Sequence, residues 1–155
     1  MTRQEKAIAY FKSGYNCSQS VVCAFADLIN MDEKSAATLA SGFGGGIGRL
    51  REVCGAVSGM VMVANILYGE NCESDPQAKK AHYERIQHLA NIYKAENGSI
   101  ICRELLGLDI KGADSPAPSE RTAEYYKKRP CAELAGMAAK ILDEYIEQNP
   151  IKKIK

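Results

Sequence analysis

Six cysteines are the residues of this chain best able to do chemistry: Cys17, Cys23, Cys54, Cys72, Cys102 and Cys131. Four share a placement that the other two lack. Cys17, Cys102 and Cys131 fall where helix-start signals predict a first turn, and Cys54 follows a glycine-rich run leading into another helix. Unpaired backbone N–H groups and the helix dipole favour negative charge there, so a thiol is more readily a thiolate. Thiolate is the form that attacks disulfides and ligates metals. Arg49 and Arg51 near Cys54, Arg103 beside Cys102 and Arg129 near Cys131 would push the same way. A free cysteine is also a small buried hydrophobe, and Cys131 lies on an apolar stripe, but four such placements together favour chemistry. Cys23, about 120° round the helix from Cys17, reads as a core or supporting residue. Cys72, in the turn Gly69-Glu70-Asn71-Cys72-Glu73, reads as an incidental exposed thiol.

The spacing contains no C-x-x-C and no C-x-x-C-H, so neither a thioredoxin-like motif nor covalent haem is supported. The four cysteines can meet only through tertiary folding. The run Gly42-Phe43-Gly44-Gly45-Gly46-Ile47-Gly48-Arg49 lacks the P-loop pattern and follows no strand, which excludes the usual phosphate-binding readings. A turn that brings backbone close to a cluster, or packs two helices tightly, is the economical alternative. His82 lies on the apolar face of its helix and reads as a hydrogen-bonded core residue. His88 lies off that face and reads as solvated. Tyr125 and Tyr126 could line a pocket, with packing the simpler role.

Positive and negative residues nearly cancel (20 Lys and Arg against 19 Asp and Glu), which removes the basic stripe that nucleic-acid binding requires. The start Met1-Thr2-Arg3-Gln4-Glu5-Lys6 is charged where a signal peptide is apolar, and no apolar run reaches the roughly 18–20 residues that span a bilayer. The expectation is a cytoplasmic protein with no membrane insertion. In that reducing compartment, multiple cysteines point to metal or redox work. The basic tail over 150–155 is expected to fray.

The elements that must position the cysteines read as helical almost throughout, in one domain spanning residues 1–155. The expected fold is all-α, a bundle of about six to eight helices with a glycine-rich turn before the central one. Thr2 can cap a first helix to about Ser13. Asn16 with Gln19 makes a capping box for a second, whose buried stripe runs through Val21, Val22, Phe25, Leu28 and Ile29. Asp32 can open a third, to about Ser41. Gly55, Ala56, Ser58 and Gly59 give the helix ending near Tyr68 a small-residue face, suited to close approach of another element or to a homodimer interface. Asp75-Pro76 starts a helix to about Glu96. Ser99 can cap a short helix holding Cys102, residues 112–119 form a loop, and a short helix ends near Lys128. The last begins at Pro130 and is expected to bury Cys131, Leu134, Ala135, Ala138, Ile141, Leu142, Tyr145 and Ile146.

The segments Tyr15-Asn16-Cys17-Ser18-Gln19, Gly44-Gly45-Gly46-Ile47-Gly48-Arg49, Cys54-Gly55-Ala56-Val57-Ser58-Gly59, Cys102-Arg103-Glu104-Leu105-Leu106-Gly107 and Arg129-Pro130-Cys131 together resemble the C_GCAxxG_C_C family, redox-active proteins with a CGAxxG motif. The resemblance covers roughly residues 5–145. It implies that Cys17, Cys54, Cys102 and Cys131 are the family's four defining cysteines, with Cys23 and Cys72 extra. Some relatives are cytochromes, but this sequence has no haem-attachment motif. The leading expectation is an iron–sulfur cluster for electron transfer, held by those four thiolates. Gly45, Gly46, Gly48, Arg49 and Gly55 would form the cofactor-binding surround. Two alternatives stand beside it. One is metal-free thiol–disulfide exchange, which needs two cysteines with Cα atoms within about 7 Å. The other is an all-cysteine zinc site. The partner would be a redox protein or a small-molecule electron donor or acceptor.

Overall fold

Short polar side chains set most of the helix starts. In the computed structural model, which describes residues 1–151, Thr2 and Glu5 close a capping box on α1 (Arg3–Lys12). Asn16 and Gln19 do the same for α2 (Cys17–Ala24). Asp32 caps α3 (Glu33–Leu39) and Thr122 caps α8 (Ala123–Lys128). Asp75, followed by proline at the first helical position, opens α6 (Pro76–Asn97), which Gly98 ends with φ +90°. The remaining helices are α4 (Gly44–Ile47), α5 (Gly55–Tyr68), α7 (Cys102–Leu105) and α9 (Cys131–Gln148).

The fold is all-α, and among the described residues there is no strand, only an isolated antiparallel bridge between Val53 and Ile101. Nine helices form among them, one more than the six to eight expected, because the glycine-rich turn contains a helical turn of its own, α4. The second helix stops five residues before the predicted Ile29. Arg3 donates to the Ala24 carbonyl at 2.9 Å and pairs with Asp27, and Asn30 adopts φ +56°, so the chain winds into turns there. The tail residues Lys152–Lys155 lie outside the described residues. No described helix is long and apolar enough to cross a membrane.

The core forms where α9 lies along α1 and α2 lies along α5. Phe25, Met60, Val63, Leu89, Tyr93 and Leu142 are fully buried in it. The small-residue face of α5 is used inside the chain. A Cβ on Gly59 would stand 2.8 Å from the Ser18 carbonyl oxygen and 3.0 Å from Val21 Cβ, so the two helices meet backbone to backbone. That approach fixes α2, and with it Cys17, against the start of α5.

His82 sits in the polar seam between α5, α6 and α9. Arg85 Nη1 can only donate, so the 2.8 Å contact makes His82 Nδ1 the acceptor and leaves Nε2–H for Asn65 Oδ1 at 2.7 Å. Arg85 in turn donates to the Tyr145 hydroxyl and stacks on Tyr68, 4.7 Å from its ring centre. Burial, then the Arg85 charge, holds the imidazole pKa below its ordinary value.

Two outcomes follow from these contacts. Gly59→Ala is expected to destabilise the protein by about 1–3 kcal/mol, the usual cost of overpacking, read as a lower thermal midpoint. Because His82 takes its proton more readily when unfolded, its contribution is complete above about pH 6.5 and is lost as the pH falls through the lower folded value. Thermal midpoints between about pH 7 and pH 5 should therefore fall in the wild type and fall less in His82→Gln.

Candidate functional site

Four helix starts point into one cavity. Cys17 is the first residue of α2, Cys102 of α7 and Cys131 of α9, while Cys54 is the N-cap of α5. All four thiols line a cavity of about 410 Å³, together with Gly45, Gly48, Arg49 and Gly55 from the sequence-predicted surround. Gly46 is close by without lining it. A Cβ there would stand 2.6 Å from the Glu52 backbone nitrogen and 2.8 Å from Cys102 Cβ, so it lets the turn lie against α7. Cys23 is buried outside the cavity, its thiol on the Glu33 carbonyl, and Cys72 lies in a part-exposed turn, its thiol on the Ala78 carbonyl.

Pairing of two irregular segments brings the middle cysteines side by side. Cys54 N donates to the Ile100 carbonyl at 2.8 Å, and Cys102 N donates to the Glu52 carbonyl at 2.6 Å. Upstream, the chain makes an unusual left-handed run. Gly45, Gly46, Ile47, Gly48, Arg49 and Arg51 all have φ between +56° and +71°. The left-handed region costs a non-glycine residue about 1–2 kcal/mol, so Ile47, Arg49 and Arg51 hold it only because other contacts fix them.

Arg51 supplies the strongest of those contacts. It is 4% exposed, and its Nε and Nη2 donate to Asp114 Oδ2 at 3.2 and 2.9 Å, while Nη1 points at Cys102 Sγ at 3.5 Å. Arg49 donates to the same carboxylate oxygen and to the Ser115 carbonyl. Asp114 lies in the loop identified from the sequence, but nothing local marked its partner sixty residues away. Arg103 turns away from the thiols, bonding Glu52 and the carbonyls of Leu50 and Arg51, so its expected effect on Cys102 is not realised.

The helix-start argument predicted four acidified thiols, and one is found. Cys17 is held below the ordinary thiol range, first by hydrogen bonding from the Cys54 thiol, then by the Gly45 backbone N–H, against the opposing effect of burial. Cys54 is pushed well up by the same partnership and by burial, although it also meets the Tyr93 hydroxyl at 3.5 Å. Burial raises Cys102 despite Arg51, and raises Cys131 to about 11 despite Arg129 and Arg51. Desolvation thus outweighs the dipole and the arginines at three of the four positions.

Within the glycine turn, the Gly45 N–H is one of the causes that lower the Cys17 pKa. The N–H groups of Arg49, Leu50, Arg51 and Glu52 are consumed by the carbonyls of residues 44–47. Sequence reasoning put Tyr93 on one face of its helix with His82 and Leu89 without linking it to the cysteines, and it missed Phe11 and Arg121. Tyr93 reaches Cys54 from α6, and Arg121 lies 3.9 Å over the Phe11 ring at the cavity wall. Of the two tyrosines considered, Tyr125 lines the cavity.

Residues 15–145 match the family model described as "Putative redox-active protein (C_GCAxxG_C_C)". No curated protein and no solved structure matches the chain.

In reduced, metal-free protein, Cys17 is expected to alkylate at lower pH than Cys102 or Cys131. Cys54→Ala removes the main acidifying partner and leaves burial unopposed, so the Cys17 midpoint should move up. Peptide mass spectrometry of iodoacetamide labelling against pH reads both effects.

Proposed function

The chain belongs to the C_GCAxxG_C_C family, and we propose that its redox activity resides in an iron–sulfur cluster held by Cys17, Cys54, Cys102 and Cys131 and used for electron transfer. The observation that carries this reading is the convergence of four thiols, from four separate helix starts, on one cavity. Four thiolates meet the ligand count of a two-iron or four-iron centre. No histidine, aspartate or glutamate lines the cavity among the described residues, so the four cysteine sulfurs are its strongest metal donors. Among the described residues no three His, Cys, Asp or Glu side chains converge tightly enough to share a single ion, so the zinc alternative draws no support from the geometry. A cluster spreads its ligands over several metal atoms and does not require that convergence.

When bound, such a cluster supplies one-electron transfer. The chain's own residues prepare for it in three ways. Cys17, Cys54 and Cys102 are only 5–8% exposed, which holds them back from bulk solvent. Arg51, anchored by Asp114, and Arg129 place positive charge beside Cys102 and Cys131, where it offsets the accumulated negative charge of thiolates. The Gly45 N–H favours the Cys17 thiolate, and Gly55, where a Cβ would stand 2.5 Å from Cys17 Sγ, lets α5 close against it. A reducing cytoplasm, and a redox partner protein or small electron donor, suit a site of free thiols.

Cys17 Sγ lies against the residue that follows Cys54, 2.5 Å from where a Cβ on Gly55 would stand, and this adjacency favours a second reading, metal-free exchange with a disulfide substrate. The Cys17 thiolate would attack one substrate sulfur and release the other as a thiolate. Cys54, losing its proton, would then displace the second. The Cys54 proton and one from water convert the released thiolates to two thiols, and the protein is left with a Cys17–Cys54 disulfide.

Anaerobic purification with iron and sulfide supplied separates the two. The expected product is brown, with visible absorption and stoichiometric iron and sulfide, all lost in Cys54→Ala. Colourless, iron-free protein from the same preparation would sink the cluster. A loss of two free thiols on oxidation, absent in Cys54→Ala, would then establish the dithiol.

A further inference from the structure

Tyr93 is fully buried near the end of α6, and its hydroxyl makes one hydrogen-bonding contact among the described residues, with Cys54 Sγ at 3.5 Å. A phenol O–H removed from bulk solvent needs a partner inside the protein, and buried donors are nearly always matched. Tyr93 approaches the sulfur from the core side. Leu89, one turn earlier on α6, is fully buried with it, and Asn97 Nδ2 donates to the Tyr93 carbonyl at 3.0 Å. The hydroxyl is therefore carried by a packed helix and held at a fixed place beside Cys54.

The direction of this hydrogen bond depends on what Cys54 carries. While Cys54 is a thiol, either group can donate. Once the sulfur has given up its proton, to a metal or to a second sulfur, it can only accept. A phenol keeps its proton below about pH 10, so Tyr93 is then the donor. A hydrogen bond to sulfur strengthens as the sulfur becomes more negative. It stabilises the reduced state of a site more than the oxidised one, and so raises the reduction potential.

We propose that the Tyr93 hydroxyl is the donor that sets the reduction potential of the site through the Cys54 sulfur, holding it above the value the same thiols would have without that O–H. The inference deepens the redox reading and rests on it, because the charge on Cys54 must change, but it holds for both forms of that reading. With a cluster, a single electron taken from the reductant raises the charge on the ligand sulfurs. With a Cys17–Cys54 disulfide, two electrons and two protons from a thiol reductant break the sulfur–sulfur bond and leave two thiols. Either way the Cys54 sulfur is richer in electrons after reduction.

Anaerobic redox titration of the full chain tests this, followed by visible absorption where iron and sulfide are bound and by free-thiol count where they are not. Tyr93→Phe keeps the ring and removes the hydroxyl. Its midpoint is expected below the wild type by about 59 mV for a one-electron wave, or about 30 mV for a two-electron wave, the shift of a tenfold change in equilibrium. Replacing Tyr93 by 3-fluorotyrosine, a stronger donor of nearly the same shape, should move the midpoint up. Leu89→Met, a volume-conserving change on the same buried face, should leave it in place. An unchanged midpoint in Tyr93→Phe, or shifts of the same sign in the phenylalanine and fluorotyrosine proteins, would overturn the proposal and leave the redox reading standing. If Tyr93→Phe does not fold, the sign of the fluorotyrosine shift decides. A wild type with no redox wave, whether loaded with iron and sulfide or metal-free, would overturn both.

Discussion

Arg51 brings together three parts of the chain that share nothing in sequence. Its backbone ends the left-handed run, its guanidinium fixes the loop at Asp114, and its remaining N–H faces the Cys102 sulfur. A buried guanidinium is tolerable only when its donors are matched, and here one carboxylate oxygen takes two of them. The same oxygen also accepts from Arg49, and Asp114 N donates to the Arg49 carbonyl. The loop therefore closes one side of the cavity, with the glycine turn as its partner. The left-handed residues between Gly45 and Arg51 are strained singly and held collectively.

The cavity sets two effects on a thiol against each other. Helix starts and arginines favour thiolate, and removal from water favours thiol. Burial prevails at Cys54, Cys102 and Cys131, while at Cys17 a neighbouring thiol and a backbone N–H tip the balance the other way. A site in this state gains stability from anything that replaces the thiol protons, whether a metal centre or a sulfur–sulfur bond, because either relieves the cost of ionising sulfur in a dry place. A change of sulfur bonding state is the element common to the two proposed readings.

Much of this was legible in the sequence because it is local. Capping boxes at Thr2 and Asn16, the Asp75-Pro76 start and the period of residues 131–142 each name a helix, and the four cysteines were picked out by their places in such signals. What stayed hidden is tertiary. The early end of α2 depends on Arg3 reaching Ala24, and the helical turn inside the glycine run depends on φ values that only folded contacts enforce. Asp114, Tyr93 and Arg121 belong to the cavity through contacts between 39 and 110 residues apart, and no spacing rule connects them to a cysteine. The thiol acidities were misjudged for a related reason. Position in a helix can be read from neighbours, but burial belongs to the whole fold.

The core explains why the cavity can be both strained and well formed. Gly59 locks α2 onto α5, and α9 lies along α1, so Cys17, Cys54 and Cys131 are carried by elements anchored in the apolar interior. Only Cys102 rides on a single helical turn, and that turn is held by Arg51, Arg103 and the backbone pairing at residues 51–54. Three sulfurs thus depend on core packing and one on polar contacts. The Cys102 wall is the part of the site with the weakest tie to the core, and local opening favours segments held by few buried apolar contacts.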